Sequence, residues 1–176
     1  LDWALQTGQA EIALGMAGAL GFFWEIRNYF TEGIDYLSRA LALSSEQAEK
    51  AGSMGEAPDP LPARARALWA RGRLRLFLSD ETASRADYEE SLVIYRRTSD
   101  RWGMSATLVG LAYLSVFHGE YSRACTELEE ALRLRRELGY RVGEANTLWS
   151  LGFVFGQMGE LDKAVDMLEQ ALEIGR

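Results

Sequence analysis

The chain repeats itself with a period of about 40 residues, and this repeat constrains the fold more than any other feature of the sequence. When the sequence is shifted on itself by one period, small residues align with small residues and leucines with leucines. The aligned columns include Leu68/Leu108/Leu148, Gly72/Ala112/Gly152, Ser84/Ala124/Ala164, Tyr88/Leu128/Leu168, Ser91/Ala131/Ala171 and Leu92/Leu132/Leu172. An earlier copy joins this register only after a longer shift, so an insertion follows it. Its residues in these columns are Gly21, Gly33, Leu37, Ala40 and Leu41. Such a sequence predicts stacked copies of one supersecondary unit.

Each copy is predicted to be a pair of helices. Apolar and small residues recur at helical spacing in both halves of a copy, as in Leu108, Leu111, Ala112 and Ser115 and again in Leu128, Ala131 and Leu132. The dipeptides Gly119-Glu120 and Gly159-Glu160 break the two helices of a pair. Strand signals are weak, because Val, Ile and Thr are sparse and no Asn-Gly or Asp-Gly turn occurs. We therefore expect an all-α, right-handed solenoid of antiparallel helix pairs, with about four repeats.

The register divides the chain as follows. We assign 1–12 to the end of a preceding helix and a lead-in, 13–47 to repeat 1, 48–63 to a loop insertion rich in Pro and Gly, 64–103 to repeat 2, 104–143 to repeat 3 and 144–176 to repeat 4. The last repeat stops before its period is complete, and the first residue is not Met, so we expect a piece of a longer polypeptide. The open face of the last repeat predicts self-association through the repeat ends.

The small columns, with a Leu or aromatic residue between them, resemble the tetratricopeptide repeat, whose usual period is about 34 residues. Four segments, 17–27, 36–43, 129–132 and 138–143, also resemble the repeat region of large bacterial ATP-dependent transcription regulators. These are signal-transducing (STAND) ATPases with LuxR-type or SARP-like DNA-binding domains, and residues 1–5 resemble the helix that precedes this region in them. The resemblance implies a cytoplasmic, non-enzymatic module that binds a protein or peptide.

Composition excludes several other functions. The 26 acidic and 19 basic residues give a net charge of −7, which does not suit direct nucleic-acid binding. One cysteine and one histidine are too few for a structural zinc site, and the longest apolar run, 12–24, is too short to cross a membrane. The sequence has no phosphate-binding loop, and neither Lys50 nor Lys163 follows a glycine. We expect no metal and no cofactor.

Three other patterns have alternative interpretations. A Cys–His nucleophile at Cys125 and His118 is conceivable, but a turn separates them, so a packed cysteine and a helix-capping histidine are favoured. The glycines Gly15, Gly18 and Gly21 fit close helix packing better than a nucleotide loop. The repeated acid pairs at 89–90 and 129–130 fit an outer solvated face better than an acid/base couple. No catalytic residues are assigned.

A binding groove is predicted on the first helix of each pair, which lines the concave surface in tetratricopeptide repeats. The resemblance places these residues there: Phe22, Arg66, Trp69, Arg73, Tyr113, Phe117, Asn146, Trp149 and Phe153. Aromatic rings beside guanidinium groups suit an extended acidic peptide or a planar, small anionic ligand. The alternative is that these aromatic residues only pack against neighbouring repeats.

Arginines cluster at 64, 66, 71, 73 and 75. Arg71 and Arg75 occupy columns that are apolar or small in the later copies, and Glu81 replaces Tyr121 and Leu161. Either an Arg–Glu cluster replaces apolar packing in the second copy, or the arginines are solvated, and solvation is the favoured interpretation.

These observations predict the sensor or interaction region of a bacterial transcription regulator. The alternative is a stand-alone structural adaptor or oligomerisation scaffold.

Overall fold

A computed structural model of the chain describes residues 1–52 and 61–175. Within these two ranges the chain forms nine α-helices and no β-strand. The helices are α1 (Asp2–Gln6), α2 (Ala10–Ile26), α3 (Phe30–Gly52), α4 (Leu61–Phe77), α5 (Glu81–Thr98), α6 (Arg101–Phe117), α7 (Tyr121–Glu137), α8 (Arg141–Gln157) and α9 (Leu161–Ile174). The predicted all-α class with paired helices is confirmed.

The chain divides into two compact units, Leu1–Thr98 and Ser99–Arg176. In the first unit α2 pairs with α3 and α4 with α5, and α2 also packs directly on α4. Glycines permit this close approach: a Cβ added at Gly21 would lie 2.7 Å from the Cβ of Ala70, and one at Gly18 would lie 3.1 Å from Cγ of Arg66. Gly15 has no such neighbour within 4 Å, so the prediction of close packing is wrong for this glycine.

In the second unit α6 pairs with α7 and α8 with α9, and α7 packs on α8. The core of this unit is built from the repeating columns, with Ala112, Ala124, Leu128, Leu148 and Leu151 all buried. Because a small residue faces a larger one across each pair, the helices can pack closely.

The turn inside each helix pair requires a residue with positive φ. Glycine fills this position in the second unit, at Gly119 (φ 70°) and Gly159 (φ 78°). Asn28 (φ 57°) and Ser79 (φ 59°) fill it in the first unit, where the backbone adopts the same conformation at some cost in strain. The turn geometry is therefore common to all four pairs, although the sequence shows a glycine in only two.

Two boundaries differ from the sequence analysis. Helix α3 continues through Gly52 and α4 begins at Leu61, so helix covers both ends of the segment 48–63 that was predicted as a loop. The middle of that segment, 53–60, lies outside the described residues. The difference arises because Gln47, Ala48, Glu49 and Lys50 are adequate helix formers, and the nearest proline lies beyond them. The repeat boundaries themselves stay a prediction.

The surface of α9 carries exposed apolar side chains. Leu161, Val165 and Leu172 are each more than half exposed, at positions whose counterparts on α7 are largely buried. Self-association through this face stays a prediction. Among the described helices, none combines the length and the apolar character needed to cross a bilayer.

Candidate functional site

The nine predicted groove residues lie on α2, α4, α6 and α8, which are the first helices of the four pairs. None of them is buried: Trp69 and Arg73 are half-buried, and the other seven are exposed. Neighbouring repeats within the described residues therefore leave the large aromatic residues of α6 and α8 uncovered. Their role in binding stays a prediction.

In the first unit, Arg73 is held by two neighbours. Its Nη2 donates a hydrogen bond of 2.6 Å to Oε1 of Glu25 on α2, and its guanidinium carbon lies 4.9 Å from the centroid of the Trp69 ring. The positive charge of Arg73 is thus compensated within the chain, so an anionic ligand at this position would compete with Glu25. The sequence analysis missed Glu25 because the partner lies 48 residues away.

In the second unit, four of the predicted residues line a single cleft of about 250 Å³ between α6 and α8. Tyr113 and Phe117 form one wall, and Trp149 and Phe153 form the other. The rings of Trp149 and Phe153 stack with centroids 6.3 Å apart and planes inclined by 16°. Leu128 of α7 contributes to the floor, and the surface of the cleft is almost entirely apolar. Asn146, also predicted for the groove, lies on α8 but is not among the residues that line the cleft.

The repeat register explains why this cleft is open. Gly18 and Gly21 let α2 approach α4, whereas Val109 and Ala112 occupy the matching columns of α6 and add side chains between α6 and α8. The ion pair of Glu25 and Arg73 in the first unit also has no counterpart in the second. Val116 occupies the repeat column of Glu25, and Phe153 occupies that of Arg73. Equivalent positions therefore form a closed, ion-paired contact in one unit and an open, apolar cleft in the other.

The favoured interpretation of the arginine cluster, solvation, is wrong for Arg71 and Arg75. Arg71 donates from Nε and Nη2 to the two carboxylate oxygens of Asp87, at 2.9 and 2.6 Å, and Arg75 Nη1 donates to Asp87 at 2.7 Å. The Asp87 side chain is only 4% exposed. A buried carboxylate with two guanidinium partners stands where the fourth copy has apolar side chains, and its acid is Asp87, a residue that the sequence analysis did not consider. A sequence signal was present, because Asp87 is one period before Glu127, which is also buried and accepts a hydrogen bond from Ser115 at 2.9 Å.

Arg64 lies at the far end of the cluster and is held separately. Its Nη2 donates to Oε1 of Glu90 at 2.7 Å, and its Nη1 donates to the hydroxyl of Ser45 at 3.0 Å. It therefore joins α4 to both α3 and α5. Arg66 is the exposed member of the cluster.

The structure gives no support to a Cys–His nucleophile. Cys125 lies in the core of the second unit, with its Sγ 3.9 Å from Sδ of Met158, and His118 is the C-cap residue of α6. Across residues 1–52 and 61–175, no three His, Cys, Asp or Glu side chains lie close enough together to hold a metal ion.

The thiol of Cys125 should react slowly in the folded protein. Burial raises its pKa, and the nearby carboxylates of Glu129 and Glu160 raise it further, so less thiolate is present at a given pH. At pH 8 we expect 5,5′-dithiobis(2-nitrobenzoate) to label the native chain at least about tenfold more slowly than the chain in urea. Cys125 is the sole cysteine, so the absorbance reports this site alone. Equal rates in the two conditions would show that the site is open.

Comparison with known proteins agrees with the repeat architecture. The model of the tetratricopeptide repeat family matches residues 103–176, which lie in the second unit. No curated protein sequence matches the chain. Among solved structures, the fold is similar to BtubC (BKLC) from P. vanneervenii, with a TM-score of 0.81 and 19% identity over 98% of this chain and 69% of that one.

Two further structures share the fold. MamA matches with a TM-score of 0.67 and 15% identity, over 92% of this chain and 78% of that one. The Rap conjugation gene regulator of the plasmid pLS20, in complex with the Phr* peptide, matches with a TM-score of 0.67 and 16% identity, over 87% of this chain and 40% of that one. The fold is thus that of the tetratricopeptide-repeat solenoids. Repeats of this class generally mediate protein interactions and are typically non-enzymatic.

Proposed function

We propose that the chain is a non-enzymatic module that binds a peptide or a segment of a partner protein. The observation that carries the proposal is the apolar cleft between α6 and α8, in which Tyr113, Phe117, Trp149 and Phe153 expose large areas of ring to solvent. An exposed aromatic cluster of this kind is costly unless a ligand covers it. Its volume of about 250 Å³ suits one large aliphatic or aromatic side chain of a peptide.

The residues on the predicted groove surface of each unit indicate which kind of ligand it binds. The cleft offers apolar surface, whereas Arg73, one of the two charged residues predicted for the groove, is already bonded to Glu25. We therefore assign the main contact to an apolar anchor rather than to a planar anion. One solved relative of the fold, the Rap conjugation gene regulator, is in complex with a peptide, which supports a peptide ligand for this architecture.

The wider context that we propose is the sensor or interaction region of a bacterial transcription regulator. The sequence resemblance of segments 17–27 and 138–143 to STAND-type regulators supports this assignment, as does the presence of a gene regulator among the structural relatives. A cytoplasmic location follows from that context. The alternative is a structural adaptor, which the exposed apolar residues Leu161, Val165 and Leu172 on α9 favour, because a scaffold would cover them with another subunit.

A peptide library tests the proposed site. We would select a randomised dodecapeptide library, displayed on phage, against the full chain and measure the affinity of the enriched peptides by calorimetry. The expected peptides share an aromatic or large aliphatic residue, and their affinity falls at least about tenfold in Phe153→Ser, because a buried side chain of this size contributes about 1.5–3 kcal/mol.

The matched control is Phe22→Ser. Phe22 is also an exposed phenylalanine of the predicted groove, but it lies on α2 in the first unit and does not line the cleft. Its loss should leave the affinity unchanged. A selection that enriches no apolar anchor, or peptides that bind Phe153→Ser as well as the native chain, would contradict the proposal.

A further inference from the structure

Arg135 of α7 is a buried cation without a carboxylate partner among the described residues. The residue is only 9% exposed. Its Nη1 donates to two neutral oxygens of α8, the carbonyl of Gly143 at 2.8 Å and Oγ1 of Thr147 at 2.6 Å. Its Nε is buried and has no hydrogen-bond partner in the part of the chain that the structure describes. The side chain therefore retains both donor capacity and an uncompensated charge.

The surroundings of Arg135 do not neutralise that charge. Burial lowers the pKa of its guanidinium, as expected for a cation removed from water. The nearest acid along α8, Glu144, has its Oε1 2.9 Å from Nε of Arg136, so this carboxylate is bound to another guanidinium. The Tyr140 ring lies 5.9 Å from the Arg135 guanidinium carbon. In addition, Gly143 and Thr147 are in the first two turns of α8, whose N-terminal end carries partial positive charge.

The position of Arg135 relates it to the apolar cleft. Leu128 contributes to the floor of the cleft, and Arg135 is seven residues further along α7. Seven residues are close to two full helical turns, so both side chains lie on one face of α7, about 10 Å apart along its axis. Tyr113 of the cleft wall is close enough to Arg135 to affect the pKa of its guanidinium. Arg135 itself does not line the apolar cleft, and it lies beyond Leu128 on the same face of α7.

We propose that Arg135 forms an anion-binding subsite beside the cleft. The ligand is a peptide whose carboxylate lies about 10 Å from its apolar anchor. This inference rests on the proposed function, since it requires a peptide in the cleft. In an extended peptide, a separation of about 10 Å corresponds to three residues. The ligand would therefore carry an acidic residue three positions from an aromatic or large aliphatic residue.

Defined peptides test the subsite. The probes are N-acetylated, C-amidated nonapeptides of Ala and Ser with one Phe and one Glu three residues apart, in both orders, each paired with a peptide that has Gln in place of Glu. Binding is followed by the NMR shift of the Trp149 indole N–H. For one order, the Glu peptide should bind about tenfold more tightly than its Gln partner, as expected for a charge-assisted hydrogen bond in a partly desolvated site.

Variants then assign the preference to Arg135. In Arg135→Gln the two peptides should bind equally, with the affinity that the Gln peptide has for the native chain. Arg135→Lys should retain part of the preference, because it keeps the charge. The control is Arg133→Gln on the same helix, whose side chain is largely exposed and paired with Glu137, and it should keep the full preference.

The outcomes separate this inference from the proposed function. In one outcome, the Glu and Gln peptides bind the native chain with equal affinity, and both bind Phe153→Ser more weakly. The anion-binding subsite is then wrong, while the cleft remains supported as the peptide site. If the preference for Glu persists in Arg135→Gln, another cation provides it and the assignment fails. If no peptide of either kind shifts the Trp149 signal, both proposals are wrong. Should Arg135→Gln fail to fold, the ratio of the Glu and Gln affinities in the native chain and in Arg135→Lys still decides the question.

Discussion

Replacing Asp87 by Ala is expected to destabilise the first unit by about 3–5 kcal/mol, because it leaves two partly buried guanidinium groups without their shared carboxylate. The Arg71 and Arg75 side chains are only 16% and 21% exposed, so water cannot easily replace the lost oxygens. Urea unfolding followed by circular dichroism measures this change. Glu90→Ala is the matched control: it removes the partner of Arg64 from the same helix, but the Glu90 side chain is 47% exposed, and a loss of about 0–1 kcal/mol is expected.

The chain itself provides a second test of the Asp87 cluster. In the fourth copy, the columns of Arg71, Arg75 and Asp87 hold Leu151, Phe155 and Met167. The triple variant Arg71→Leu, Arg75→Phe, Asp87→Met should recover most of the stability lost in Asp87→Ala, because apolar packing can replace a buried ion network at little net cost. A triple variant as unstable as Asp87→Ala would show that the network has a structural role that apolar side chains cannot fill.

Replacing the small residues of the repeat columns by larger ones should also lower the stability of the fold. Ala124 and Ala131 of α7 are fully buried, and Ala131→Leu or Ala124→Leu should lower the free energy of unfolding by about 1–3 kcal/mol through overpacking. The hydroxyls in the same columns of the second copy show what these positions face. Ser84 donates to the carbonyl of Gly72 at 2.8 Å, and Ser91 donates to that of Ala65 at 2.9 Å, both on the partner helix α4.

Glu129→Ala is the control for the small columns. Glu129 lies on the same helix, but its side chain is exposed, so its replacement should change the free energy of unfolding by less than about 0.5 kcal/mol. The measurement is the same urea titration. Equal, small changes in all three variants would mean that Ala124 and Ala131 do not face α6 closely, and the repeat register would then be wrong.

Much of the second-unit cleft could be predicted from the sequence, and most of the charge pairing could not. Tyr113, Phe117, Trp149 and Phe153 were selected by combining the register with the tetratricopeptide-repeat resemblance, because a helix in a periodic repeat presents the same face in each copy. Glu25 was missed as the partner of Arg73, since an ion pair between residues 48 positions apart depends on how closely two helices approach. Arg135 was missed for a related reason: its burial comes from α8, and no pattern within α7 reveals that its contacts there are neutral oxygens.

The all-α class and the helix pairs could be derived from the sequence, because they depend on local periodicity and on the turns between helices. Where the helix contacts are open, and where charge is compensated, became visible only in the packing of the helices. Gly21 against Ala70 closes one contact, an apolar cleft lined by Val109 and Trp149 lies at the equivalent one, and Asp87 rather than Glu81 binds Arg71 and Arg75. The physical reason is that differences of one to three side-chain atoms set the distance between packed helices. Hydrogen bonds and ion pairs form only within a few tenths of an ångström of the right distance.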